Sequence, residues 1–442
     1  MKKLLTGLCV VACIASCKNS TDYKAYLHNP ELFSYTVHEL NTVVMGNNFS
    51  PMVASRNYSY AAIAAYEVIV AGYPERYQSL SGQLKGLASV SKPVTDPNAD
   101  IELAALFAYT KVGEAVTFPE GSMQAYQDSI LVIARNKGLS ATVEKASRLL
   151  ADSVAASIIR WSKDDHYLQT RGAEKYTVKD IPGRWVPTPP MYASAAEPHW
   201  KEIRPMVLDS AQMFTPPAPP DFNITDKNSV YYKEVMAIKN AGDSLTDEQK
   251  HIAMFWDDNP FKMNVTGHMM FGSKKFSPPG HWMSVVGIAA RKAKLDFAET
   301  VYAYAKTSIA LFDGFIHTFQ AKYTYNTVRP ETVINKYIDP NWMPYLQTPA
   351  FPEYTCGHST ISSAAAEALT SVFGDNFAYT DTTETEFGIP SRSFTSFRAA
   401  ALENNWARFY GGIHFHNSCI VSTEMGRQVG EQVVSKLVMK KK

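Results

Sequence analysis

Apolar residues return every three or four positions through most of this chain, and that spacing does most to limit the folds open to it. It runs through SRNYSYAAIAAYEVIVAGY (55–73), IELAALFAYTKVGEAV (101–116), MQAYQDSILVIARNKG (123–138) and ATVEKASRLLADSVAASIIRWSKDD (141–165). It resumes over 229–258, over a long stretch from 283 to 327, and over 359–373, 395–409 and 416–438. Strand-like alternation is scarce and no repeat of fixed period stands out. The pattern predicts an all-α helical bundle. Two stretches interrupt it. Residues 166–228 carry RWVPTPPMYASAAEP and FTPPAPPDF, and NPFKMNVTGHMMFGSKKFSPPGHW follows the 229–258 segment. Both are rich in proline or glycine and aperiodic. Trp185, Tyr192, Trp200 and Phe214 in the first favour an ordered loop packed over one end of the bundle, not a flexible linker.

A chain of 442 residues can bury a large core. Its hydrophobic share of 45% and charged share of 19% describe a globular protein, and a formal charge of +1 supplies no overall basic surface for nucleic acid. The opening stretch MKKLLTGLCVVACIASC reads as a targeting segment: Lys2 and Lys3, an apolar run from Leu4 to Ile14, then small residues before Cys17. The run is too short to span a bilayer. Its end resembles a bacterial lipobox, so residues 1–17 are expected to be a lipoprotein signal peptide with Cys17 lipidated. The body would be extracytoplasmic, held to a bacterial membrane by lipid alone. Residues 18–228 then form a helical region with its Pro-rich loop and 229–442 a second helical region, expected to be one continuous fold. Removal of the signal leaves Cys356 and Cys419 as the remaining cysteines, and an oxidising compartment permits one disulfide.

Three clusters in the last third have the contents needed to hold a tetrahedral oxyanion. In KYTYNTVRP (322–330), Lys322 and Arg329 lie nearly two turns apart, so a continuing helix would place both on one face, with Pro330 ending it. Alone, the pair also fits two solvated basic residues. In EYTCGHST (353–360), a helix start offers unpaired N–H groups, Gly357 allows close approach, and His358 can exchange a proton. A histidine that only caps its helix is the plainer alternative. In RFYGGIHFH (408–416), Gly411 and Gly412 break the helix and let Arg408 and His414 converge. His414 and His416 also form an H-x-H pair, but zinc needs further ligands and the neighbouring charges are cationic; His416 is expected to be structural. Together the clusters would neutralise a phosphate-like anion and stabilise a five-coordinate centre, one histidine bonding it axially and the other moving protons.

These residues resemble the superfamily that joins vanadium-dependent haloperoxidases and type 2 phosphatidic acid phosphatases, whose pattern is K-x6-R-P, P-S-G-H, then S-R-x5-H-x3-D. Lys322, Arg329 and Pro330 match the first part, Gly357 and His358 the second, and Arg408 and His414 the third. Thr355 and Cys356 replace Pro and Ser, Ala407 replaces Ser, and Ser418 replaces Asp. GRWVPTPP, FWDDNP, PPGHW and AKYTYN look like the soluble, haloperoxidase-like bacterial branch. The resemblance implies the helical bundle of the haloperoxidase and acid phosphatase type. It implies oxyanion binding by Lys322, Arg329, Cys356, Gly357 and Arg408, acid–base work by His358, and His414 as the vanadium ligand or, in a phosphatase, the phosphorylated nucleophile. Without the family Asp, His414 needs another partner, such as Ser418 or a backbone carbonyl.

Cys356 then has three readings: a free thiol open to oxidation, a nucleophile, or half of a disulfide with Cys419 that locks the second motif to the third. The disulfide is put slightly ahead. The leading function is oxidation of halide by hydrogen peroxide with vanadate as cofactor. An acid phosphatase acting on phosphomonoesters through a phosphohistidine, with no cofactor, is the alternative. A lipoprotein that binds oxyanions without catalysis is the third.

Overall fold

The structure, a computed structural model, describes residues 22–91, 96–266 and 269–441. The targeting segment and Cys17 lie outside the described residues. The first half contributes α1 (Asp22–Leu27), α2 (Pro30–Gly46), α3 (Pro51–Gly72), α4 (Ile101–Val116), α5 (Gln124–Asn136), α6 (Ala141–Lys163) and α7 (Tyr167–Arg171). After the Pro-rich segment come α8 (Val230–Asp243), α9 (Asp247–Phe255), the antiparallel hairpin β1 (Lys262–Thr266) and β2 (Met269–Ser273), α10 (Pro278–Ala293) and α11 (Phe297–Tyr325). The chain ends with α12 (Pro330–Tyr337), α13 (Gly357–Phe373), the strand pair β3 (Tyr379–Asp381) and β4 (Arg392–Phe394), α14 (Phe397–Tyr410) and α15 (His416–Lys436).

Two helices form the axis of the bundle. In α3 every side chain from Met52 to Ile69 is buried, including Arg56, Asn57 and Glu67, so the helix is enclosed on all sides. Pro51 and the Ser50 hydroxyl, which accepts from Val53 N–H, start it. In α11 a capping box of Asp296 and Glu299 sets the start, and Asn326 in the left-handed region (φ 50°) sets the end. It packs against α3, α13, α10 and α15, and one apolar core holds side chains from Tyr23 to Met439. α13 packs closely on α15. A Cβ on Gly426 would lie 2.1 Å from the Thr360 carbonyl oxygen, and one on Gly430 2.8 Å from that of Ala364.

Several expectations are corrected. The 283–327 stretch is two helices, because Lys294 turns left-handed (φ 54°) and Asp296 caps a new start. The 229–258 stretch likewise divides at Thr246, which forms a capping box with Gln249. Pro330 begins a helix instead of ending one: proline lacks only an N–H that the first turn does not use. The Pro-rich segment packs as expected at Trp185 and Trp200, both fully buried, whereas Phe214 is half-buried and Tyr192 is 65% exposed. Its backbone is stitched to the chain around Arg329: Trp185 N–H donates to Asn326 O, Val328 N–H to Gly183 O, and Ala196 N–H to Ala350 O. Among the described residues no helix is long and apolar enough to cross a membrane.

Candidate active site

Lys322 and Arg329 converge, but not along one helix face. α11 stops at Tyr325, the chain reverses, and Arg329 precedes α12 in an extended conformation (φ −78°, ψ 150°). Both cations are fully buried and flank the Phe351 ring, with Lys322 Nζ 4.8 Å and Arg329 Cζ 5.0 Å from its centroid. Backbone carbonyls take their remaining charge. Lys322 Nζ donates to Pro352 O (2.8 Å) and Glu353 O (3.0 Å), and Arg329 to Phe351 O (2.9 Å) and Ile413 O (2.8 Å). Burial, then the Arg329 charge, hold the Lys322 ammonium well below its usual range; burial brings Arg329 down to about 10. Arg329 Nη2 has no partner.

His414 follows the break after α14, where Gly412 takes φ 77°. Its Nδ1 lies 3.0 Å from Glu353 Oε1, and the same oxygen accepts the Phe415 N–H at 3.2 Å. Glu353 is the partner that sequence reasoning missed; Ser418 does not take that place, and its Oγ is buried without a partner. With Nδ1 engaged by a carboxylate, Nε2 is the ring nitrogen left toward the cradle, 3.1 Å from Arg329 Nη1.

α13 opens the other side. Its N-cap residue, Cys356, makes no side-chain cap, so the N–H groups of the first turn remain available to an anion. A Cβ on Gly357 would come 3.8 Å from Lys322 Cε, in the space between the helix start and the ammonium. His358 is half-buried, hydrogen-bonded to the Asp257 backbone, with Nε2 lacking a partner. Burial, then the Arg408 charge, hold it well below the ordinary imidazole range, so it is neutral near pH 7. Arg408, in the last turn of α14, donates through Nη1 to Trp256 O (2.8 Å) and Asp257 O (3.3 Å), leaving Nε free. His358 and Arg408 lie at a cavity of about 630 Å³, walled in part by Met52, Asp257, Phe261 and Phe351.

The expected disulfide is corrected: Cys356 and Cys419 are free thiols, both fully buried. They are close enough to hydrogen bond, and Cys356 N–H donates to Ser422 Oγ at 2.8 Å, so a hydrogen-bonded contact ties the second motif to α15. Burial alone would raise the Cys356 thiol; the Cys419 hydrogen bond and the His414 charge outweigh it and hold Cys356 well below the usual thiol range. Burial and the Cys356 charge push Cys419 up. His416 stacks on Trp406 at 4.5 Å, outside the cradle, as a structural role requires.

The chain is similar to a solved bacterial protein described as the first bacterial vanadium-dependent iodoperoxidase, at 42% identity over 93% of this chain and 98% of that one, with a TM-score of 0.88. The chain belongs to the vanadium-dependent haloperoxidase family. A family model, the VCPO second helical-bundle domain, matches residues 302–440. The holo and apo forms of a bacterial vanadium-dependent chloroperoxidase, each 17% identical over 88% of this chain, share the fold, with TM-scores of 0.65 and 0.64; they cover 93% and 94% of that protein. No curated protein sequence matches the chain.

The donor set of this haloperoxidase fits vanadate. Arg329 Nη2, Arg408 Nε and His358 Nε2 are buried polar atoms without partners. Lys322, Arg329, Arg408 and the first turn of α13 would hold the oxyanion, and His414 Nε2 would ligate it. Bound vanadate supplies a Lewis-acidic centre that activates hydrogen peroxide for oxygen transfer. Glu353 holds the His414 ring with Nδ1 occupied, and neutral His358 would offer Nε2 to take a proton from hydrogen peroxide.

Proposed function

We propose that the chain oxidises halide with hydrogen peroxide when vanadate is held at His414, and that iodide is the halide it uses best. One observation carries this reading: the Glu353–His414 contact engages Nδ1 and leaves Nε2, which lies 3.1 Å from Arg329 Nη1, as the nitrogen available to ligate. The iodide preference has two supports. The solved relative at 42% identity is described as an iodoperoxidase. Cys356 stands where the family places a serine, and a thiol is a weaker hydrogen-bond donor than a hydroxyl. A weaker donor draws less charge from the bound oxyanion, which suffices for iodide, the most easily oxidised of the common halides.

The test is a halide panel with peroxide, with and without vanadate, beside His414→Ala, paired with a chromogenic phosphomonoester. Iodide oxidation that needs both vanadate and His414 is the expected result. Phosphate release inhibited by vanadate, with no halide oxidised, would overturn the reading in favour of a phosphatase using the same cradle.

A further inference from the structure

Asp258 lines the same cavity, and behind it lies a buried cluster that halide oxidation does not use. Asp258 follows α9, His281 stands in the first turn of α10, Asp381 ends β3, and Glu384 lies in the short turn Thr383–Phe387. All four are at most 1% exposed. His281 Nε2 lies 2.9 Å from Asp381 Oδ2, while Asp381 Oδ1 accepts the Thr383 N–H at 2.9 Å. The other nitrogen, Nδ1, faces two carboxylates: Asp258 Oδ1 at 2.8 Å and Glu384 Oε1 at 3.8 Å. One donor atom from each of Asp258, His281 and Glu384 falls within 4.8 Å of the other two.

Two observations separate this cluster from a closed ion-pair network. Asp258 Oδ2 and both Glu384 oxygens are buried without a hydrogen-bond partner. Lys275 Nζ forms an ion pair with Glu384 Oε2 at 3.5 Å and donates to the Met254 carbonyl at 3.2 Å. With every carboxylate ionised, the three outnumber the Lys275 ammonium and one imidazolium by one charge. A divalent cation beside a neutral imidazole would balance them. An imidazole whose far nitrogen is held by a carboxylate is the arrangement that metal-ligating histidines adopt.

We propose that Asp258, His281 and Glu384 bind one divalent first-row transition cation of the zinc class, with Asp381 orienting the imidazole. One nitrogen and two carboxylates suit such an ion better than calcium or magnesium, which take oxygen ligands. Asp258 on the cavity wall provides the entry path. The ion would tie the segment after α9 to α10 and to the turn after β3. That segment carries the Trp256 and Asp257 carbonyls that receive Arg408, so the metal would stiffen one wall of the oxyanion cradle.

The full chain, purified without a polyhistidine tag and stripped with a chelator, is titrated with Zn²⁺ against a chromophoric competitor. One tight equivalent is expected in the unaltered protein. Asp381→Asn should weaken it about 10–100-fold, and Glu384→Gln at least as much. His414→Ala should leave it unchanged. So should His28→Ala, in the grouping of half-buried His28 with buried Asp100 and Glu102. No tight equivalent in the unaltered protein would overturn the proposal. So would one lost on His28→Ala or His414→Ala and kept in Glu384→Gln. If Glu384→Gln fails to fold, anomalous scattering at the zinc edge from crystals of the unaltered protein reads the position directly. None of these readouts depends on halide oxidation.

Discussion

Glu353 Oε1 sits 3.0 Å from Nδ1 of His414, a residue 61 positions later, and both side chains are 2% exposed. The contact joins the loop before α13 to the loop after α14, and it replaces the aspartate absent at Ser418. Glu353→Gln keeps the shape and the acceptor but removes the charge that favours the ligating form of the ring. Vanadate affinity should fall roughly 10–100-fold, the usual cost of altering a partner of a metal-ligating histidine. The half-saturating vanadate concentration for iodide oxidation measures it; an unchanged value would show that Glu353 only fills space.

Cys356→Ser should act in the opposite direction. The serine hydroxyl is a better hydrogen-bond donor to an oxyanion than the thiol. Tightening of vanadate binding by about 1–2 kcal/mol, near ten-fold, is expected from one charge-assisted hydrogen bond. If the halide preference follows the donor, bromide oxidation should rise relative to iodide. A variant that binds more weakly would contradict both statements.

Lys322 sets the pH dependence of anion binding. Burial, then Arg329, lower its affinity for a proton in the free protein, whereas a bound oxyanion favours the charged ammonium. Affinity should therefore fall as pH rises above the depressed free-state pKa, and binding there should take up a proton. Calorimetry near pH 8 with molybdate, an oxyanion of constant charge in that range, in two buffers of different ionisation enthalpy reads the uptake. Lys322→Met should abolish it. Equal heats in both buffers for the unaltered protein would mean that Lys322 is already charged.

Gly426→Ala tests the packing that holds the second and third motifs together. The added Cβ would meet the Thr360 carbonyl oxygen at 2.1 Å and Ser363 Cβ at 2.8 Å, so α13 and α15 must separate. A loss of about 1–3 kcal/mol is expected from overpacking at such a contact. Denaturant unfolding gives the stability, and vanadate titration should weaken in parallel because Cys356 N–H is anchored to Ser422 on α15.

Membrane attachment is a separate proposal resting on MKKLLTGLCVVACIASC. Cys17→Ser should move the protein from the membrane fraction to the soluble one and abolish incorporation of labelled fatty acid, with iodide oxidation retained. Label that persists in Cys17→Ser would remove the lipobox reading.

Sequence alone determined the helical class and pointed to oxyanion chemistry, because both rest on local properties. Apolar spacing of three and four is written along each segment, and Lys322, Arg329, Gly357, His358, Arg408 and His414 stand at spacings that a known motif makes legible. Even there the local inference had limits. Pro330 and Lys294 show that a helix boundary depends on which turn needs its N–H and on where the backbone turns left-handed. Only the tertiary structure decided the partner of His414, because nothing local links Glu353 to a residue across two loops. It also placed the two thiols, which are buried and free of a covalent bond. The same holds for the Asp258–His281–Asp381–Glu384 cluster, whose members come from three elements and a loop and share no spacing. A buried charge takes its role from whatever the fold packs beside it, and that neighbour is seldom near in sequence.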